Sequence, residues 1–292
     1  VHVYPIDGQY EPYQLPYYMP NKGDLDTATV MLIHGDGVQG STSFVDLLRN
    51  PLTINGACVD IITKKFGTGS IKFDGVNDYV SLAPECPIWN YFSQAFHSNY
   101  GVCIDFWLNC ATGEQFILSN GQTVYPLEPL LADGEAISIY KNSSNKLVAS
   151  LLFGGRRTTI TSTSTILSNT WTHIAIQETG HQDIINNPDA HYIRMFVNGI
   201  LEATSEDAVE WGTLARPHTI YLGRQGSSYL NGYIDEFRVS VNQRYTTTFT
   251  PMTKAYNTAT TPAPTPVIED ISAGNKTVTA LGNARMSGTN PL

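Results

Sequence analysis

Recurring Asn-Gly and Asp-Gly dipeptides constrain this chain more than any other feature. Between residues 27 and 256 they stand at Asp36-Gly37, Asn55-Gly56, Asp74-Gly75, Asn120-Gly121, Asp133-Gly134, Asn198-Gly199 and Asn231-Gly232. Both dipeptides supply the positive φ angles that tight hairpins need and that larger L-residues resist. Between them, apolar and polar residues alternate over short runs, the pattern of a strand with one buried face. Strands are predicted at 30–34, 70–73, 79–82, 102–109, 115–119, 136–140, 146–153, 158–163, 172–178, 192–197, 200–204, 219–222 and 231–240. In 101–109, Val102, Ile104, Phe106 and Leu108 share one face, with Asp105 and Asn109 opposite. In 230–240, an Asn-Gly turn is followed by a strand whose buried side is read as Leu230, Tyr233, Phe237 and Val239. Helical periodicity is nearly absent, and 43–50 is the one short helix expected. Many strands, frequent turns and no crossover helices predict an all-β antiparallel sandwich or jelly roll.

The ends differ from the middle. Residues 1–26 hold a dense Tyr/Pro tract, including Tyr4, Pro5, Tyr10, Pro12, Tyr13, Pro16, Tyr17, Tyr18 and Pro20. Proline at that density blocks helix and central strand alike, so an extended arm is expected. Residues 257–266 read as a Pro/Thr linker of polyproline-like stiffness. The tail at 267–292 offers one predicted strand near 276–280 and too little apolar sequence for its own core. The dense β-region between the arms spans 27–256.

Charge narrows the partners. The 292 residues carry 17 Lys plus Arg against 26 Asp plus Glu, a net charge of −9. Nucleic-acid contact, which needs clustered cations, is therefore not expected. No apolar run approaches a membrane span, so no membrane insertion is expected. No secretory signal is visible at Val1, and the missing initiator Met is expected to reflect processing or an incomplete piece. The cysteines Cys58, Cys86, Cys103 and Cys110 form no C-x-x-C pair. That disfavours a zinc site, and free buried thiols are expected, although an even count permits disulfides.

An ordered motif set now matters. It comprises Met31-Leu-Ile-His-Gly-Asp-Gly37, Phe66-Gly-Thr-Gly-Ser-Ile-Lys-Phe-Asp-Gly75, Asp78-Tyr-Val80, Val102-Cys-Ile-Asp-Phe-Trp-Leu108, Trp171-Thr-His-Ile-Ala175, Met195-Phe-Val-Asn-Gly199, Ile220-Tyr-Leu-Gly-Arg224, Asn231-Gly-Tyr-Ile-Asp-Glu-Phe-Arg-Val239 and Arg244-Tyr-Thr246 with Phe249-Thr-Pro251. Over 27–256 this set resembles the laminin-G-like, concanavalin A-like lectin/glucanase superfamily, most closely the copies found in tailed-phage structural proteins. The resemblance implies two curved antiparallel sheets in a concanavalin A-like jelly roll, flanked here by extended N- and C-terminal arms. It also implies a structural calcium ion held by a strand Asp with backbone oxygens. Carried to this sequence, the metal candidates are Asp36, Gly75 and Asp235.

Catalytic chemistry is harder to find. Glycan hydrolysis needs two carboxylates across the scissile bond, and no strand carries Glu-x-Asp-x-Glu. Glu206-Asp207 with Glu210 reads as a solvated loop, and Asp74 with Asn77-Asp78 as a hairpin. No G-x-S-x-G elbow or H-E-x-x-H pair is present. His173 reads as a core or edge histidine with its hydrogen bond satisfied, and 154–157 as a hairpin tip. Sugar binding would need exposed aromatics beside polar groups. Arg224 with Tyr229, beside the Gly226-Ser-Ser228 loop, is the leading ligand-facing pair, with Trp211 a further candidate and Tyr221 and Trp89 behind them.

The resulting expectation is a non-enzymatic virion structural protein of a tailed phage, a capsid-decoration, fibre or tail component. Its lectin-like domain would face outward, and its arms would engage other virion proteins and copies of itself. A carbohydrate-binding adhesin at an extracellular or cell surface, with a cell-surface glycan as partner, is the alternative. A glycan hydrolase of the same fold is disfavoured.

Overall fold

The computed structural model describes residues 28–82, 101–120, 136–153, 156–179, 192–205, 219–256, 267–269 and 277–279. The strands, in chain order, are β1 (Thr29–Ile33), β2 (Thr53–Asn55), β3 (Cys58–Asp60), β4 (Ser70–Asp74), β5 (Tyr79–Leu82), β6 (Val102–Cys110) and β7 (Gln115–Ser119). They continue with β8 (Ala136–Lys141), β9 (Lys146–Phe153), β10 (Arg156–Thr165), β11 (Thr172–Glu178), β12 (Ile193–Val197), β13 (Ile200–Thr204) and β14 (Ile220–Leu222). The last are β15 (Arg224–Gln225), β16 (Ser228–Tyr229), β17 (Asn231–Ser240), β18 (Val267–Glu269) and β19 (Thr277–Thr279). One compact unit spans Asp26–Asn257. In the other, β18 pairs antiparallel with β19; the predicted tail strand coincides with β19, while β18 was not anticipated. The predicted arm 1–26 and linker 257–266 lie outside the described residues.

Among the described residues, two antiparallel sheets of eight and seven strands make the sandwich. The first runs β13-β12-β11-β6-β17-β4-β3, with β1 also on β17; the second runs β10-β9-β8-β7-β14-β5-β2. Alternation explains their packing. Ile104, Phe106 and Leu108 of β6 and Ile174 and Ile176 of β11 meet Ile117, Ile139, Leu147 and Leu222 in one apolar core. Burial of this kind supplies the main drive to fold, about 25 cal/mol per Å² of apolar surface.

Strand β17 departs from its predicted alternation. Asp235 pairs with Trp107 and Arg238 with Asp105, so Glu236 and Phe237 together oppose one residue of β6. This is a β-bulge, with Glu236 at φ +54°. The bulge shifts the phase: Ile234, Phe237 and Val239 face the core, and Tyr233 is half-buried on the other side. It also divides the strand between neighbours. Residues 231–234 pair with β4 and residues 237–240 with β1, so β1 and β4 follow one another along the same edge.

Two other expectations are corrected. Asn231-Gly232 is not a turn but the start of β17. A Cβ on Gly232 would meet Asn109 O at 2.5 Å and Cys110 Cα at 2.7 Å, so the glycine is there for close strand approach. Residues 43–50 form turns and no helix. The segment is tied to β1 instead: Leu47 N donates to Leu32 O at 2.9 Å, and the Asp46 carboxylate accepts from Leu32 N at 2.6 Å and Asn50 N at 2.9 Å. By contrast, Asn198 (φ +50°) and Gly199 (φ +80°) form the expected tight hairpin between β12 and β13.

Candidate functional site

On the second sheet, residues of β2, β5 and β14 that alternate with the core face outward. Tyr221 lies opposite Ser81, and Ser81 opposite Thr53, while Leu222, Val80 and Ile54 point inward. Tyr79, on the outward register of β5, meets Tyr221 edge-to-face at 5.7 Å. Gly223 then breaks β14 at φ +86°; a Cβ there would strike the Phe73 ring at 2.5 Å. The break releases Arg224 into the small β15–β16 hairpin, where it pairs with Tyr229. Ser119 Oγ donates to Arg224 O at 2.7 Å and fixes that backbone.

These turns gather a cluster. The Arg224 guanidinium carbon lies 4.9 Å from the Tyr79 ring, 5.0 Å from Tyr221 and 5.8 Å from Tyr229. Arg224 Nε donates to Gly226 O at 2.8 Å. Asn55 Nδ2 donates to the Tyr79 hydroxyl at 3.0 Å. All four cluster side chains are half-buried, and Asn55 and Thr53 are exposed. The predicted Arg224–Tyr229 pair is therefore brought together; Tyr79 joins it from β5, a predicted strand, and Asn55 from β2, which was not predicted. Trp211 and Trp89, like Glu206, Asp207 and Glu210, lie outside the described residues. Asp74 and Asp78 serve their turn: Asp74 Oδ1 accepts from Val76 N and Asn77 N, and Asp78 Oδ2 from Asp74 N.

A second polar group lies on the outer face of the first sheet. Asp105 is fully buried and accepts from Arg238 Nε at 2.9 Å, Arg238 Nη2 at 2.6 Å, Tyr245 OH at 2.7 Å and Tyr256 OH at 2.6 Å. Burial alone would raise its pKa, yet the Arg238 charge and these hydrogen bonds bring it down to about 2. The Tyr256 ring stacks 3.6 Å from the Arg238 guanidinium carbon. The strap 241–256 is thereby fastened across the sheet, with Tyr245 stacked on Phe249 at 3.7 Å. His173 is buried beneath it, but its expected hydrogen bond is not made: Nδ1 has no partner, and Nε2 stands 3.9 Å from Asp105. Burial lowers the His173 pKa to about 4. This group fastens the strap to β6 and β17.

The third group lies where β1 gives way to β4. His34 Nδ1 and Glu236 Oε1 are 2.6 Å apart. Asp235 Oδ2 accepts from Lys65 N at 2.8 Å and Phe66 N at 3.0 Å, and Asp235 Oδ1 is buried without a partner. Asp36 Oδ1 accepts from Gly69 N at 3.1 Å and from Thr68 N. Burial, reinforced by Glu236 and Asp36, raises the Asp235 pKa to about 7.

The calcium expectation can be tested against this donor set. Calcium takes six to eight oxygens. Here the 65–69 loop turns amide hydrogens toward both carboxylates, and Lys65 already supplies a nearby cation to Asp235. Gly75 lies at the far end of β4, beside Asn231, because Asp74 pairs with Asn231 while Ile71 pairs with Ile234. Among the described residues no three His, Cys, Asp or Glu side chains gather as metal ligands. Gly75 therefore stands apart from Asp36 and Asp235, which the 65–69 loop joins.

Comparisons with known proteins bear on the fold. Solved structures with this architecture include the binding domain of botulinum neurotoxin DC in complex with SialylT, at TM-score 0.51 and 14% identity, covering 75% of this chain and 49% of that one. The binding domain of Paraclostridial mosquitocidal protein 1 aligns at TM-score 0.51 and 17% identity, covering 79% and 50%. A botulinum neurotoxin DC binding domain with rat synaptotagmin II aligns at TM-score 0.50 and 14% identity, covering 74% and 49%. The chain thus spans about half the length of the structures it matches. No curated protein matches it. The family model described as the concanavalin A-like lectin/glucanases superfamily matches residues 74–244.

Proposed function

The chain belongs to the concanavalin A-like lectin/glucanases superfamily, and from that premise we propose a non-catalytic, glycan-binding attachment module. The Tyr79–Tyr221–Arg224–Tyr229 cluster carries this reading. Aromatic rings offer the apolar faces of a pyranose a surface, while hydroxyl, amide and guanidinium groups beside them meet its hydroxyls. Hydrolysis would need a carboxylate pair on the same face. Strands β2, β5, β14, β15 and β16 contain no acidic residue. Domains of this fold have been solved with SialylT and with rat synaptotagmin II, which supports a binding role without choosing the ligand.

In the same reading the module belongs to a structural protein on the exterior of a tailed-phage virion. The ordered motif set and the two sequence arms support that placement, and the arms would engage neighbouring virion proteins and further copies of the chain. A glycan array probed with the full chain tests the binding reading. Tyr221→Ala is expected to weaken any glycan hit about tenfold or more, since it removes the ring face on which the C–H groups of a pyranose would lie. An array blank at millimolar glycan, or hits indifferent to Tyr221→Ala, would refute it. The virion placement is tested by antibody labelling of intact particles, where an unlabelled exterior would refute it.

A further inference from the structure

We infer that the glycan this face takes is an acidic one, its carboxylate seated on the two terminal nitrogens of Arg224; the inference rests on the glycan-binding reading above. The guanidinium is built into place. Gly223 has no room for a side chain against Phe73, Ser119 holds the Arg224 carbonyl, and Gly226 O holds Nε. With Nε committed, the plane of the group is set and Nη1 and Nη2 form a fork. That fork matches a carboxylate bidentately, which a lysine ammonium cannot do.

What is missing around Arg224 is as informative as what is present. Arg238, the other arginine held by aromatic rings, has its carboxylate in Asp105 at 2.6 Å. Among the described residues Arg224 has only tyrosine rings and a carbonyl. The competing view makes Arg224 a strut that holds the tyrosines together by cation–π attraction. A strut needs no fork and is indifferent to the charge of a ligand, so the two views separate by experiment. The net charge of −9 sharpens the test, because the chain as a whole repels polyanions and acidic-ligand binding must be local.

The experiment titrates the full chain with matched pairs: an oligogalacturonate and its methyl ester, and sialyllactose and lactose. The first pair presents a uronic acid and the second a nonulosonic acid, so the arms distinguish the two sources of the same carboxylate. The carboxylated member of at least one pair is expected to bind about tenfold tighter, the scale of one charge-assisted bidentate contact. Arg224→Gln is expected to bring that ratio to about one, whatever it costs the neutral member, and Arg224→Lys to keep part of the ratio. Equal affinity within both pairs would overturn the inference and leave the glycan reading standing. Binding of no member would overturn the inference too, while only a blank array overturns the glycan reading itself. Were Arg224→Gln not to fold, the wild-type ratio within each pair still decides the matter.

Discussion

Asp105→Asn is the sharpest probe of what holds the first sheet's outer face. The substitution keeps size and shape but removes the charge opposite Arg238. Two routes give the magnitude. The carboxyl falls from 3.8 to about 2 on folding, which is on the order of 2–3 kcal/mol at neutral pH. Breaking one side of a buried ion pair costs about 3–5 kcal/mol, because the surviving charge stays buried. Two tyrosine hydroxyls also lose their acceptor. A loss of about 3–4 kcal/mol is therefore expected, lowering the melting temperature by about 10 °C in a domain of this size. The pH dependence has a definite sign. The folded pKa lies below the unfolded one, so the contribution is complete above about pH 4 and lost as pH falls through about 2. Denaturant titrations at pH 7 and pH 2.5 measure both, with Trp107, buried beside His173, as the fluorophore. The gap between wild type and variant should narrow in acid. The double variant Asp105→Leu, Arg238→Met should recover part of the single-variant loss, since no charge is then stranded. A single-variant loss below about 1 kcal/mol at pH 7 would refute the reasoning.

Two further outcomes follow from the geometry. Asp235→Asn should leave stability unchanged near pH 4 and raise it by about 1–3 kcal/mol at pH 8. The folded carboxyl, raised to about 7, resists ionising, whereas Lys65 N and Phe66 N both use a single oxygen that Asn retains; thermal melts across that range check it, and a variant weaker than wild type at pH 8 contradicts it. Gly199→Ala should cost about 2 kcal/mol or more, since φ is +80° and the new Cβ would lie 1.9 Å from Phe249 O. Hydrogen exchange should show the Phe249 amide, which donates to Gly199 O at 2.9 Å, losing protection first; unchanged exchange there would contradict the clash.

Much of the fold was legible because its rules are local. Alternation placed Ile104, Phe106 and Leu108 inward, and Asn198-Gly199 closed a hairpin. The failures share one cause, which is that partners distant in sequence decide. Glu236 bulges because β17 must change neighbours from β4 to β1, and nothing within 230–240 announces that. Gly232 resembles a turn residue until Cys110 packs against it. Asp46 ties 43–50 to β1 by bonding Leu32, 14 residues earlier. At the candidate site, Arg224 and Tyr229 are near neighbours in sequence and were paired at once. Tyr79 joins them across a sheet, and its outward register was the available signal. Asp105 gave no such signal, for an acidic residue on a strand face reads as solvated until Arg238, Tyr245 and Tyr256 cover it.

The strap also settles how this domain bears tension. The chain enters at Thr29, paired with Ser240, and leaves past Tyr256, whose hydroxyl is on Asp105 and whose amide is on Glu236. A pull past Tyr256 is therefore borne first by its side-chain and amide bonds to Asp105 of β6 and Glu236 of β17. Under load the 241–256 strap would peel from those two strands before the ladder between them parts.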